Sequence, residues 1–179
     1  MKLSEALQEK KKQLLSIWVD RTLDSYTSSD FFKQSRDQIA NPIGANVRAG
    51  LTKAYELLLL GAQPAEYTSA LDQVIRIRAI QDFTPSQAVV PFLELKWVIR
   101  QVLAADKNTA HLVQNQDLAP LDCDIDRIAL AAFDIYTKCR EQLYQVRIQE
   151  LKSGSYILTD TPCSSKLLRE RQKEPVKNS

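Results

Sequence analysis

A chain of 179 residues is the natural size of one domain and can bury roughly 70% of its unfolded surface without a disulfide or metal staple. Its 24 basic and 22 acidic side chains leave a net charge of only +2, which argues against a nucleic-acid binder with its basic stripe. The opening segment is polar and charged at once, unlike a signal peptide, and the longest apolar run, Leu57 to Ala62, is far too short to cross a bilayer. The expectation is a soluble, cytoplasmic chain without direct membrane insertion.

Scarce glycine beside abundant Leu, Ala, Gln, Lys and Arg favours helix. Residues 3 to 26 predict one amphipathic helix, with Leu3, Leu7, Leu14, Trp18, Thr22 and Tyr26 at three- and four-residue spacing and Leu15, Val19 and Leu23 widening the stripe. Lys10, Lys11 and Lys12 read as a solvated basic face. A short helix with Phe31 and Phe32 comes next. Asn41-Pro42 then pairs a capping residue with a proline at the first helical position, opening a helix through Ile43, Val47, Leu51, Ala54 and Leu58 that Gly61 closes. Pro64 begins another, with Tyr67, Leu71, Val74 and Ile77 or Arg78 on one side, ending near Asp82.

Thr84-Pro85 repeats the cap-plus-proline signal and starts a long helix to about Ala105. Pro91 falls inside it, where it removes a backbone donor, crowds the carbonyl of Gln87 and predicts a kink. Asp106 to Gln116 reads as a polar loop or short turn. Pro120 is expected to start the last long helix, with Asp122, Asp124 and Asp126 in its first two turns complementing its dipole and Leu121, Ile125, Ile128, Ala132, Ile135, Cys139, Gln142 or Leu143, and Val146 as its stripe. Domain boundaries follow: 1–150 as a helical domain, 151–179 as an extended or disordered tail too poor in apolar residues to offset its ordering entropy. In that tail Tyr156, Ile157, Leu158 and Cys163 are the candidate partner contacts.

Chemistry-bearing groups are sparse. The cysteines Cys123, Cys139 and Cys163 are widely spaced, without a Cys-x-x-Cys, and there is one histidine, so no zinc or multi-histidine site is expected. His111 sits in a polar connection, a poor setting for a haem ligand. Cys139, in the apolar stripe, reads as core filler. The central helix pair carries Arg78, Gln81, Asp82, Lys96 and Arg100, with Glu94 beside them. Two readings stand for these residues: a salt-bridge network that fixes helix packing, or a pocket that senses a small carboxylate or phosphate. A buried charge needs a partner in both. No nucleophile–base pair, Gly-rich phosphate loop or carboxylate dyad accompanies them, so no enzymatic activity and no cofactor are expected.

The string Arg-Ile-Arg-Ala-Ile-Gln-Asp-Phe-Thr-Pro-Ser-Gln (residues 76–87), the segment Ala40 to Leu51, and Trp18 and Arg21 resemble the RsbRD N-terminal domain family over roughly residues 5 to 148. The resemblance implies a globin-like, all-α bundle without haem, here of about five to six helices, typically dimeric. It also implies the sensory half of bacterial stressosome co-antagonists, in which a STAS domain carries the phosphorylated threonines. After residue 150 this chain lacks the length and the strand–helix alternation of such a domain, so direct kinase antagonism is not expected. The function expected is a non-enzymatic regulatory or signalling sensor-type module, a homodimer acting through protein partners. The alternative is an adaptor or accessory subunit of a larger redox or membrane-associated complex, bound through its tail.

Overall fold

The computed structural model describes residues 2–34, 39–81, 83–114 and 118–153. Its elements, in order, are α1 (Leu3–Glu9), α2 (Lys11–Asp24), α3 (Ser29–Gln34), α4 (Pro42–Leu59), a 3₁₀ turn (Pro64–Tyr67), α5 (Thr68–Ile80), α6 (Pro85–Ala105), α7 (His111–Gln114) and α8 (Leu118–Ser153). Among the described residues there is no strand, and the fold is an all-α bundle. The long helices α2, α4, α5, α6 and α8 supply most of the core, with α1, α3 and α7 as short additions. The described residues up to Arg140 form one compact unit, and those from Glu141 to Ser153 belong to a second.

The amphipathic patterns fold as spaced. Leu7, Leu14, Trp18, Val19, Leu23 and Tyr26 are buried, as are Val47, Leu51, Ala54 and Leu58 of α4. The caps work as read: Asn41 Oδ1 accepts from Gly44 N at 2.8 Å, and Thr84 and Gln87 form a reciprocal capping box at the start of α6. Gly61 takes φ +64°, the left-handed conformation that suits glycine at a helix end.

Four expectations change. The first helix is interrupted at Lys10, which separates α1 from α2; the backbone hydrogen bonds Lys10 N to Ala6 O and Leu14 N to Lys10 O bridge the break. The basic run there is not simply a solvated face. Lys10 pairs with Asp106 and Lys11 with Glu56, which fastens α2 to its neighbours, while Lys12 stays exposed. The helix expected from Pro64 opens as a 3₁₀ turn before α5 begins. The last helix is already formed at Leu118, so Asp122, Asp124 and Asp126 lie beyond its first turn. They are ion-paired with Arg100, Arg127 and Lys96, which explains them better than the helix dipole does.

Helix α2 packs against α4 and α6, and α4 packs along α5. At Gly50 the helices α4 and α5 approach closely: a Cβ there would lie 2.7 Å from both Ala70 O and a methyl of Val74. The Trp18 indole spans from α2 to α6, donating from Nε1 to Pro91 O at 2.7 Å, and Tyr55 donates to Leu7 O at 3.0 Å. In the second unit, the described residues 141–153 continue α8 and carry Leu143, Tyr144, Val146, Ile148 and Leu151, all exposed.

Because one obstacle at Gly50 is backbone, relief requires moving a helix. Gly50→Ala is therefore expected to lower the unfolding free energy by about 1–3 kcal/mol in urea titrations. An unchanged midpoint would show that α4 and α5 are not so closely apposed.

Candidate functional site around Arg78

Arg78 is fully buried on α5. Its guanidinium lies 4.9 Å from the Tyr26 ring centroid and 4.3 Å from that of Phe83, and the two rings meet edge to face at 5.2 Å. Nη2 donates to Ser25 Oγ and to Gln87 O, each at 2.9 Å. The second acceptor follows from the covalent structure. Pro91 lacks an N–H, so Gln87 O, four residues earlier in α6, has lost its regular helical donor. Arg78 supplies a donor from another helix.

The charge is less well matched than the hydrogen bonds. None of the ion pairs among the described residues includes Arg78, and its Nε and Nη1 have no hydrogen-bond partner. Burial pushes its pKa down, partly offset by Tyr26 and Glu94. The Tyr26 hydroxyl is also buried without a hydrogen bond of good geometry, although it lies close enough to Arg78 for each group to shift the other's titration. Burial pushes that phenol up, and the arginine opposes the rise. Glu94 is engaged by Arg21 at 2.9 Å, whose guanidinium stacks 4.3 Å from the Trp97 ring.

Beside this cluster opens a cavity of about 450 Å³, lined by Ser25, Tyr26, Thr27 and Ser28 after α2, by Gln81, Phe83 and Gln87 at the α5–α6 junction, and by Phe32. The groups that hold Arg78 thus form its wall. Volume and lining suit a small molecule with a polar end. Across the α5–α6 junction, Tyr136 of α8 donates to Phe83 O at 2.5 Å.

The residues singled out from the sequence divide. Arg78 and Gln81 belong to this cluster. Lys96 and Arg100 pair with Asp126 and Asp122 of α8 and share no hydrogen-bond or ion-pair partner with Arg78. Asp82 and the tail residues Tyr156, Ile157, Leu158 and Cys163 lie outside the described residues. His111 is exposed, and no cluster of three or more His, Cys, Asp or Glu suited to a metal occurs among the described residues. Cys139 is half-buried against the core, and burial raises its thiol pKa. Ser25, Tyr26, Phe83 and Gln87 were not singled out as site residues. The legible signal was the spacing of Gln87 to Pro91, which marks a carbonyl in need of a donor.

The fold and this site define an all-α bundle with a buried arginine that joins no ion pair among the described residues. The chain matches the model of the RsbT co-antagonist protein rsbRD N-terminal domain over residues 12–151, and it belongs to that family. It is also similar to an uncharacterized protein of Archaeoglobus fulgidus, 24% identical over 141 residues, which covers 78% of this chain and 83% of that relative. No solved structure matches. Among the described residues, no helix is long and apolar enough to cross a membrane.

The tyrosines give this core a pH signature. Burial raises the phenols of Tyr26, Tyr55 and Tyr67, that of Tyr67 to about 12. A phenol whose pKa is higher in the folded state contributes stability that is present below its unfolded value of about 10 and lost as pH rises through the folded value. Stability should therefore decline above about pH 10. At neutral pH, Tyr55→Phe should cost about 1 kcal/mol because it leaves Leu7 O without its donor, whereas Tyr26→Phe removes an unpaired hydroxyl and should cost under about 0.5 kcal/mol. Chemical denaturation of both variants across pH checks the pair; equal losses would mean that the Tyr26 hydroxyl is bonded in solution.

Proposed function

We propose that this chain is a regulatory, sensor-type module of the cytoplasm that works as a homodimer and acts through protein–protein contacts. The observation that carries the reading is an uncovered apolar face on α6 and the first half of α8. Val90, Leu93, Trp97, Leu130 and Phe133 are all at least 40% exposed. Five of the residues that line the groove of about 760 Å³ between these helices are Val89, Val90, Leu93, Leu130 and Phe133. Soluble monomers rarely leave such a continuous patch open to water.

The rim favours a second copy as the occupant. Lys96 is bonded to Asp126, and Arg100 to Asp122, each bond joining α6 to α8. The charges beside the apolar face are thus already neutralised in pairs. Two identical faces can approach about a twofold axis without like-charge repulsion. Membership of a family named for a co-antagonist protein supports a regulatory role. A signal would act by favouring one of two packings of these helices, which requires a differential affinity for the two.

Sedimentation tests this directly. The wild type should run as a dimer at micromolar concentration, and Leu130→Glu with Phe133→Glu should run as a folded monomer with unchanged helical circular dichroism. A monomeric wild type, or a double variant that still dimerises, rejects this face as the interface.

A further inference from the structure

We propose that the cavity beside Arg78 is the input site of this module, and that it takes a small organic carboxylate. This rests on the sensor reading but supplies what that reading lacks, a ligand class and the groups that recognise it. The cavity holds three kinds of wall. Ser25, Thr27 and Ser28 are hydroxyl residues, Gln81 and Gln87 carry side-chain amides, and Tyr26 and Phe83 are aromatic. That mixture suits a short hydrocarbon skeleton with a charged or polar end.

The sign of the charge comes from behind the wall. Arg78 is fully buried and belongs to none of the ion pairs among the described residues. Two of its nitrogens and the Tyr26 hydroxyl make no hydrogen bond of good geometry. A buried cation with bare donors is costly until an anion or other acceptor satisfies it. In a site of low dielectric its attraction for an anion is several-fold stronger than in water. The bland alternative, that the arginine serves only as a donor for Gln87 O, accounts for Nη2 and leaves Nε and Nη1 bare.

Because Arg78 has no exposed surface and lies against the Tyr26 and Phe83 rings, a carboxylate reaches it only when those rings part. Phe83 lies in the α5–α6 junction, and its carbonyl is held by Tyr136 of α8. Occupancy would therefore be felt at the helix pair that carries the apolar face. That connection makes a pocket of this kind an input rather than a passive void.

The test titrates the full chain with sodium succinate, with sodium phosphate, and with sodium chloride at matched ionic strength. It reads the thermal midpoint and the heat of binding. Succinate should raise the midpoint saturably, at one site per chain, where chloride does not. Tyr26→Phe, expected to fold normally, should weaken succinate binding at least several-fold, and Arg78→Met should abolish it. If Arg78→Met fails to fold, Tyr26→Phe decides. No saturable response to succinate, or an undiminished one in Tyr26→Phe, overturns the proposal, and saturation by phosphate alone overturns the carboxylate assignment. Sedimentation with and without succinate separates the two readings: binding that leaves the oligomeric state and the helix packing unchanged keeps the site and rejects its role as a signal input.

Discussion

A proline in the middle of a core helix leaves a carbonyl that its own helix cannot satisfy, and the rest of this domain is arranged around that constraint. Pro91 takes the regular donor away from Gln87 O, and Arg78 of α5 replaces it from the side. One hydrogen bond thus links the two helices that meet at the family-matching string. The Trp18 indole makes a comparable bond to Pro91 O from α2. The broken turn of α6 is consequently tied to two other helices, α5 and α2.

Using arginine as the donor has a consequence for charge. A neutral donor would satisfy the carbonyl at a lower desolvation cost, yet here a guanidinium is buried with no ion pair among the described residues, braced by two aromatic faces. Cation–π contacts recover some of the desolvation cost, but hydrogen-bond capacity on Nε and Nη1 is left over. The other charges of α6 behave differently. Glu94, Lys96 and Arg100 each find an opposite charge near the surface, where a pair contributes at most about 1 kcal/mol. These pairs fix neighbours and quiet the rim of the apolar face.

Much of the architecture was legible in the chain. Periodicity identified the buried sides of α2, α4 and α5, and cap-plus-proline signals set the starts of α4 and α6. These are local properties, written within a few residues. The interruption at Lys10 was not legible, because it coincides with a bond to Asp106, 96 positions away. The start of α8 was misplaced because Pro120 imitates a first helical position while standing inside the first turn. At the site, residue type identified Arg78 and Gln81, and Pro91 identified the orphaned carbonyl. What linked them was tertiary: Tyr26 and Ser25 arrive from α2's end, more than fifty residues upstream of Arg78, and nothing local says which aromatic will cover the guanidinium.

If Arg78 is held in place chiefly by the carbonyl that Pro91 orphans, the two residues must be energetically coupled. A double-mutant cycle of Arg78→Met and Pro91→Ala, read by urea unfolding, measures that coupling, because alanine at 91 restores an N–H for Gln87 O. The account predicts that Arg78→Met costs about 2–3 kcal/mol in the natural background and at least about 1 kcal/mol less when residue 91 is alanine. Costs that add to within about 0.5 kcal/mol would contradict it and leave the burial of Arg78 without this cause.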